Sequence, residues 1–81
     1  MMKSVAMSIF SKNLDSARKA AGMTIQELAD LVGTKRSYMS RLIHGHHSPN
    51  LILMEKIANA CGVPLYELLK PKSENILVES H

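Results

Sequence analysis

Apolar residues recur along this chain at helical spacing. From about Ser8 to Ala21, the residues Phe10, Leu14, Ala17 and Ala21 follow at steps of four, three and four, which sets them on one face of an α-helix. Gly22 then suits the left-handed turn that closes it. Thr24 stands three residues before Glu27, the spacing at which each side chain can bond the other's backbone amide at a helix start. Leu28, Ala29 and Val32 give this second helix its apolar face, and Gly33 ends it. A third helix is expected over about Arg36 to Ile43, with Met39, Leu42 and Ile43 available for burial. Asn50, after Pro49, is a candidate N-cap for a fourth. That helix carries Leu51, Met54, Ile57, Ala58 and Cys61 on one side as far as Gly62. Pro64 opens a short fifth helix, PLYELLK, which Pro71 terminates.

Composition agrees with an all-α reading. The 81 residues allow one domain, and 46% of them are apolar, but there is no Trp, one Phe and two Tyr, so the core must be aliphatic. The single cysteine, Cys61, lies in the apolar run KIANACGV and is expected as a buried small hydrophobe. No stretch approaches the roughly 18 apolar residues of a membrane span, and the start MMKSVAMSIFSK has no sustained apolar segment with a cleavage site. A soluble, cytoplasmic protein is the expectation. Residues 1–7 are expected as a flexible N-terminus, 8–70 as the domain and 71–81 as a tail. Within that tail Ile76 to Val78 are β-prone, so it is either disordered or a strand that pairs with a second subunit.

Charge adds a direction. The net charge is only +3, but the acids stop at Asp30 and resume at Glu55, and between them lie Lys35, Arg36, Arg41 and three of the four histidines. A basic face of this kind concentrates a polyanion. The run GTKRSYMSRLIHG interleaves its cations with Met39, Leu42 and Ile43. Two short helices joined at a glycine, the second apolar on one side and cationic on the other, form the arrangement of a helix-turn-helix. Its apolar residues anchor the second helix to the domain. Lys35, Arg36, Ser37, Ser40 and Arg41 are then left to enter a DNA major groove, which is wide enough for one α-helix.

The stretch from Leu14 to Leu69 resembles the DNA-binding domains of lambda repressor, Cro and their XRE-type relatives. The elements that carry the resemblance are Leu28 with Ala29, Gly33, SYMSRL at Ser37 to Leu42, Gly45, Ser48 with Pro49, and IANACGV at Ile57 to Val63. It implies a compact five-helix fold and a sequence-specific transcriptional regulator, usually a homodimer on an inverted repeat of double-stranded DNA. Carried over by position, base reading falls on Lys35, Arg36, Ser37 and Arg41. Phosphate contacts fall on Thr24, Ile25 and Gln26 at the start of helix two, and on the loop with His44, His46, His47, Ser48 and Asn50. Tyr38 is expected to lay its ring at the rim with the hydroxyl toward DNA. Two positions depart from the pattern. Ile25 stands where many relatives have a glutamine, and Ile43 where many have a glutamate that pairs with the arginine at the position of Arg18. With an apolar partner, Arg18 is expected to be more exposed than in those relatives, or to find another acceptor.

Other chemistries have less behind them. The cluster His44, His46 and His47 has no cysteine or carboxylate beside it to complete a metal site, so phosphate contact is the expected role and neither metal nor cofactor is. Asp15, Glu27 and Asp30 are dispersed, and no glycine-rich phosphate loop is present, so an enzyme is not expected. The rival reading is an antitoxin-type interaction module that neutralises a toxin and regulates its own gene. A protein partner, toxin or RNA polymerase, goes with that alternative.

Overall fold

The computed structural model describes residues 5–71. Among these the chain forms α1 (Val5–Ala20), α2 (Ile25–Val32), α3 (Arg36–Ile43), α4 (Leu51–Cys61) and α5 (Leu65–Leu69), with no strand. The first helix starts at Val5, ahead of the Ser8 expected from the apolar register. Residues 5–7 are therefore helical rather than part of a flexible lead. The readings of the tail lie outside the described residues, apart from Pro71.

Local chemistry sets the helix limits. Thr24 accepts from the Glu27 amide at 3.0 Å while the Glu27 carboxylate accepts from the Thr24 amide at 2.8 Å, which completes the capping box. At the other end of α2, Gly33 takes φ +80°, a conformation that a side chain would strain, and Thr34 N–H reaches back to the Ala29 carbonyl at 2.9 Å. This turn allows α3 to begin only three residues later, at Arg36. Asn50 Oδ1 accepts from the Leu53 amide at 2.8 Å and starts α4.

α1 packs on α5, α3 and α4, α2 on α3 and α4, and α4 on α5. They enclose Phe10, Leu14, Leu28, Ala29, Val32, Met39, Leu42, Ile57, Ala58, Cys61 and Leu68. Burial pushes the Cys61 thiol above its ordinary range, against a smaller opposing effect of the Arg18 charge, so it stays protonated and packs as a small apolar group. No helix among the described residues is long and apolar enough to cross a membrane.

Two buried polar residues of α1 join distant parts of the chain. Ser11 donates its hydroxyl to the Leu42 carbonyl at 2.9 Å. Asn13 donates its amide to the carbonyls of Leu68 at 3.0 Å and Lys70 at 2.7 Å. Asn13 satisfies carbonyls at the end of α5 that no further turn of helix reaches, Ser11 adds a second donor to a Leu42 carbonyl that already accepts from the Gly45 amide at 3.1 Å, and each pins a helix terminus to α1.

Arg18 takes the second of its two expected courses and finds another acceptor. It does not reach outward, because its side chain is only 14% exposed and pairs with Asp15 at 2.8 Å, while its Nη1 donates to the Met23 carbonyl at 2.7 Å. The acceptor that Ile43 does not supply is found one turn back on the same helix. The Arg18 hydrogen bond is the largest influence on Asp15 and holds its carboxyl below the ordinary value, aided by Lys19 and opposed by partial burial. A depressed folded-state pKa stabilises the fold above the unfolded value, and the contribution disappears as pH falls through the folded value. The stability difference between the native protein and Asp15→Asn is therefore expected to be constant above about pH 5 and to shrink below about pH 4. Urea unfolding of both proteins at each pH measures it, and a difference that persists unchanged at low pH would contradict the assignment.

Candidate nucleic-acid interface

α3 divides its residues as the alternation of apolar and cationic positions requires. Met39 and Leu42 have no accessible surface, and Tyr38 and Ile43 pack partly against the same core. Lys35, Arg36, Ser37 and Arg41 are exposed, and Ser40 is half-buried. Lys35 is the N-cap residue of α3, in extended conformation, and its ammonium, which has no acceptor, cannot cap the helix start. Arg41 lies four residues after Ser37, one turn further along the same face. The buried pair fixes the rotation of the helix, and the rotation turns the arginines out.

Around α3 the expected phosphate contacts fall into distinct states. Thr24 is exposed, but its hydroxyl oxygen is engaged by the capping box. Ile25, expected among the phosphate contacts, packs its side chain against the core, which leaves only its amide for an anion. In the first turn of α2 that amide has no carbonyl one turn back, and it sits at the positive end of the helix dipole. The Gln26 side chain donates along the helix to Asp30 at 2.9 Å. Asn50 uses its carbonyl oxygen on the Leu53 amide, so what it can offer an anion is its NH2 group.

The histidines leave α3 in an ordered loop. His44 caps the helix, and its Nδ1 lies 2.7 Å from the Ser40 carbonyl. The His46 ring stacks near that of His44, with centroids 6.5 Å apart. The His47 ring tilts against Tyr38 at 5.1 Å, so the Tyr38 ring sits between the core and the loop. His44, His46, His47 and Ser48 are exposed. Among the described residues no three His, Cys, Asp or Glu side chains gather as metal ligands. Gly45, at φ +77°, reverses the chain so that the His46 amide returns to the Arg41 carbonyl at 2.8 Å.

Ser11 is the supporting residue that the sequence did not announce. Its bond to the Leu42 carbonyl ties the last turn of α3 to α1. The available signal was a polar residue beside Phe10 on a mostly apolar face, but its acceptor lies 31 positions away.

Residues 14–68 match the profile of the helix-turn-helix family HTH_3. The chain belongs to that family. This helix-turn-helix protein is 47% identical over 45 residues to an HTH-type transcriptional regulator of Methanothermobacter thermautotrophicus, across 56% of its own length and 65% of that relative. It therefore spans just under two thirds of the archaeal protein. Among solved structures it is similar to the hypothetical transcription factor NHTF from Neisseria, at 30% identity and a TM-score of 0.82 over 90% of this chain and 84% of that one. It is also similar to the restriction-modification controller protein C.AhdI from Aeromonas hydrophila, at 31% identity and a TM-score of 0.73, over 76% and 90% of the two chains. The helix-turn-helix protein is thus an all-α member of a family of DNA-binding transcriptional regulators, with α2 and α3 as its two characteristic helices.

Proposed function

We propose that this protein is a sequence-specific regulator that seats α3 in the DNA major groove and acts by occupancy of an operator, as a repressor or a restriction-modification or phage-type controller. The observation that carries the reading is the division of α3, which buries Met39 and Leu42 fully while Arg36, Ser37 and Arg41 stay exposed. In this reading Lys35, Arg36, Ser37, Ser40 and Arg41 face base edges. Arginine suits guanine, whose O6 and N7 accept a bidentate pair. The first-turn amides of α2, with Thr24, Gln26, Tyr38 and the loop from His44 to Asn50, hold the phosphates on either side.

A homodimer on an inverted repeat completes the proposal. Two copies would set their α3 helices about 34 Å apart, one turn of DNA. Tyr66 and Leu69 on α5 and Leu51 and Ile52 at the start of α4 are exposed apolar side chains, and they support self-association through these helices.

Selection of bound duplexes from a random pool tests the reading. An inverted repeat with guanines in each half-site is the expected product. A pool without enrichment, even at low salt where phosphate contacts are strongest, would remove the proposal.

A further inference from the structure

The loop after α3 carries a feature that bears on how this domain would bind a phosphate, and the inference rests on the DNA reading above. The Ser40 carbonyl receives two contacts from His44, its backbone amide at 3.0 Å and its Nδ1 at 2.7 Å. A carbonyl oxygen only accepts, so Nδ1 must carry the hydrogen. In the neutral ring Nε2 is then a bare lone pair, which repels a phosphate oxygen. A proton on Nε2 reverses this, giving both a donor and a positive charge.

The surrounding charges do not already hold the ring. On α1 and α2, the helices packed against α3, the carboxylates are Asp15, engaged by Arg18 and Lys19, Glu27, engaged by the Thr24 amide, and Asp30, engaged by Gln26. The cations of α1 are Lys12, Arg18 and Lys19, and α3 carries Arg36 and Arg41. Within the loop the stacked His46 ring is the titratable neighbour, and His47 lies against Tyr38.

We infer that His44 is a proton-dependent phosphate clamp, so that DNA binding takes up a proton at Nε2 and weakens as pH rises from about 6 to 8. Phosphodiesters do not titrate in this range, and phosphate contacts are independent of sequence. A labelled random-sequence duplex at constant low salt is therefore a sufficient probe for the full chain. Affinity is expected to fall about tenfold across that window, the change expected for a group whose proton affinity rises by about one unit on binding. His44→Gln places an amide donor near the position of Nε2 without needing a proton, so its profile is expected to be flat, while His46→Gln and His47→Gln keep the slope. A flat profile for the native chain, or a slope retained in His44→Gln, overturns the inference while leaving DNA binding in place. Failure of the folded native chain to bind any duplex at pH 6 would instead overturn the DNA reading, and this inference with it. An NMR titration of the His44 ring, expected to titrate at higher pH with DNA than without, gives an independent readout if the glutamine variant does not fold. An unmoved titration there also overturns it.

Discussion

Replacing Arg36 and Arg41 together with alanine is expected to leave the five helices intact and remove the preference for one DNA sequence over another. Both side chains are exposed on α3, where substitutions typically change stability by no more than about 0.5 kcal/mol. Each bidentate contact to a guanine is worth about 1–3 kcal/mol of discrimination. Together they correspond to a loss of roughly thirtyfold to twenty-thousandfold in specific affinity. Binding to random duplexes should fall by much less, since the α2 amides and the loop remain. Titrations against selected and random DNA, beside a thermal melt, separate these effects. A double variant that melts normally and still prefers the selected sequence would show that other residues read the bases.

Leu42→Ala is expected to do the opposite, sparing the exposed side chains of α3 and weakening the fold. Leu42 has no accessible surface and stands beside Arg41. Truncating such a side chain costs about 2–5 kcal/mol, through lost burial and the cavity left behind. Small domains hold only about 5–15 kcal/mol in total, so much of this one's margin would go. The urea midpoint should fall with little change in slope. DNA affinity should fall only as the folded fraction does, and excess DNA should restore the fold by mass action. A variant that stays as stable as the native chain would mean that the core closes around the gap.

The contrast between these variants follows a division already visible in the residue pattern. The limits of α3 were legible as Arg36 to Ile43, as was the capping box of Thr24 and Glu27, because caps and turn glycines act over three or four residues. Contacts between distant residues were less legible. Arg18, facing an uncharged Ile43, was expected to be more exposed or to find another acceptor, and the sequence did not single out Asp15, three residues earlier, as that acceptor. Ile25, where the family pattern has a glutamine, turns its side chain against the core, a contact that its helix-start position does not by itself reveal. Ser11 and Asn13 pair with carbonyls at helix ends, and no spacing in the sequence encodes which helix end will lie opposite.

Asn13 has a wider consequence. The carbonyls that satisfy it belong to Leu68 and Lys70, 55 and 57 positions later, so a residue of α1 waits for the end of α5. Until they arrive, a buried Asn13 would carry the cost of unmet hydrogen bonds, and Ser11 on the same helix holds the end of α3. The five-helix unit is therefore fastened from its first helix to its last. α1 thus holds the end of α3 through Ser11 and the end of α5 through Asn13, so the placement of these two helices is coupled through a single helix.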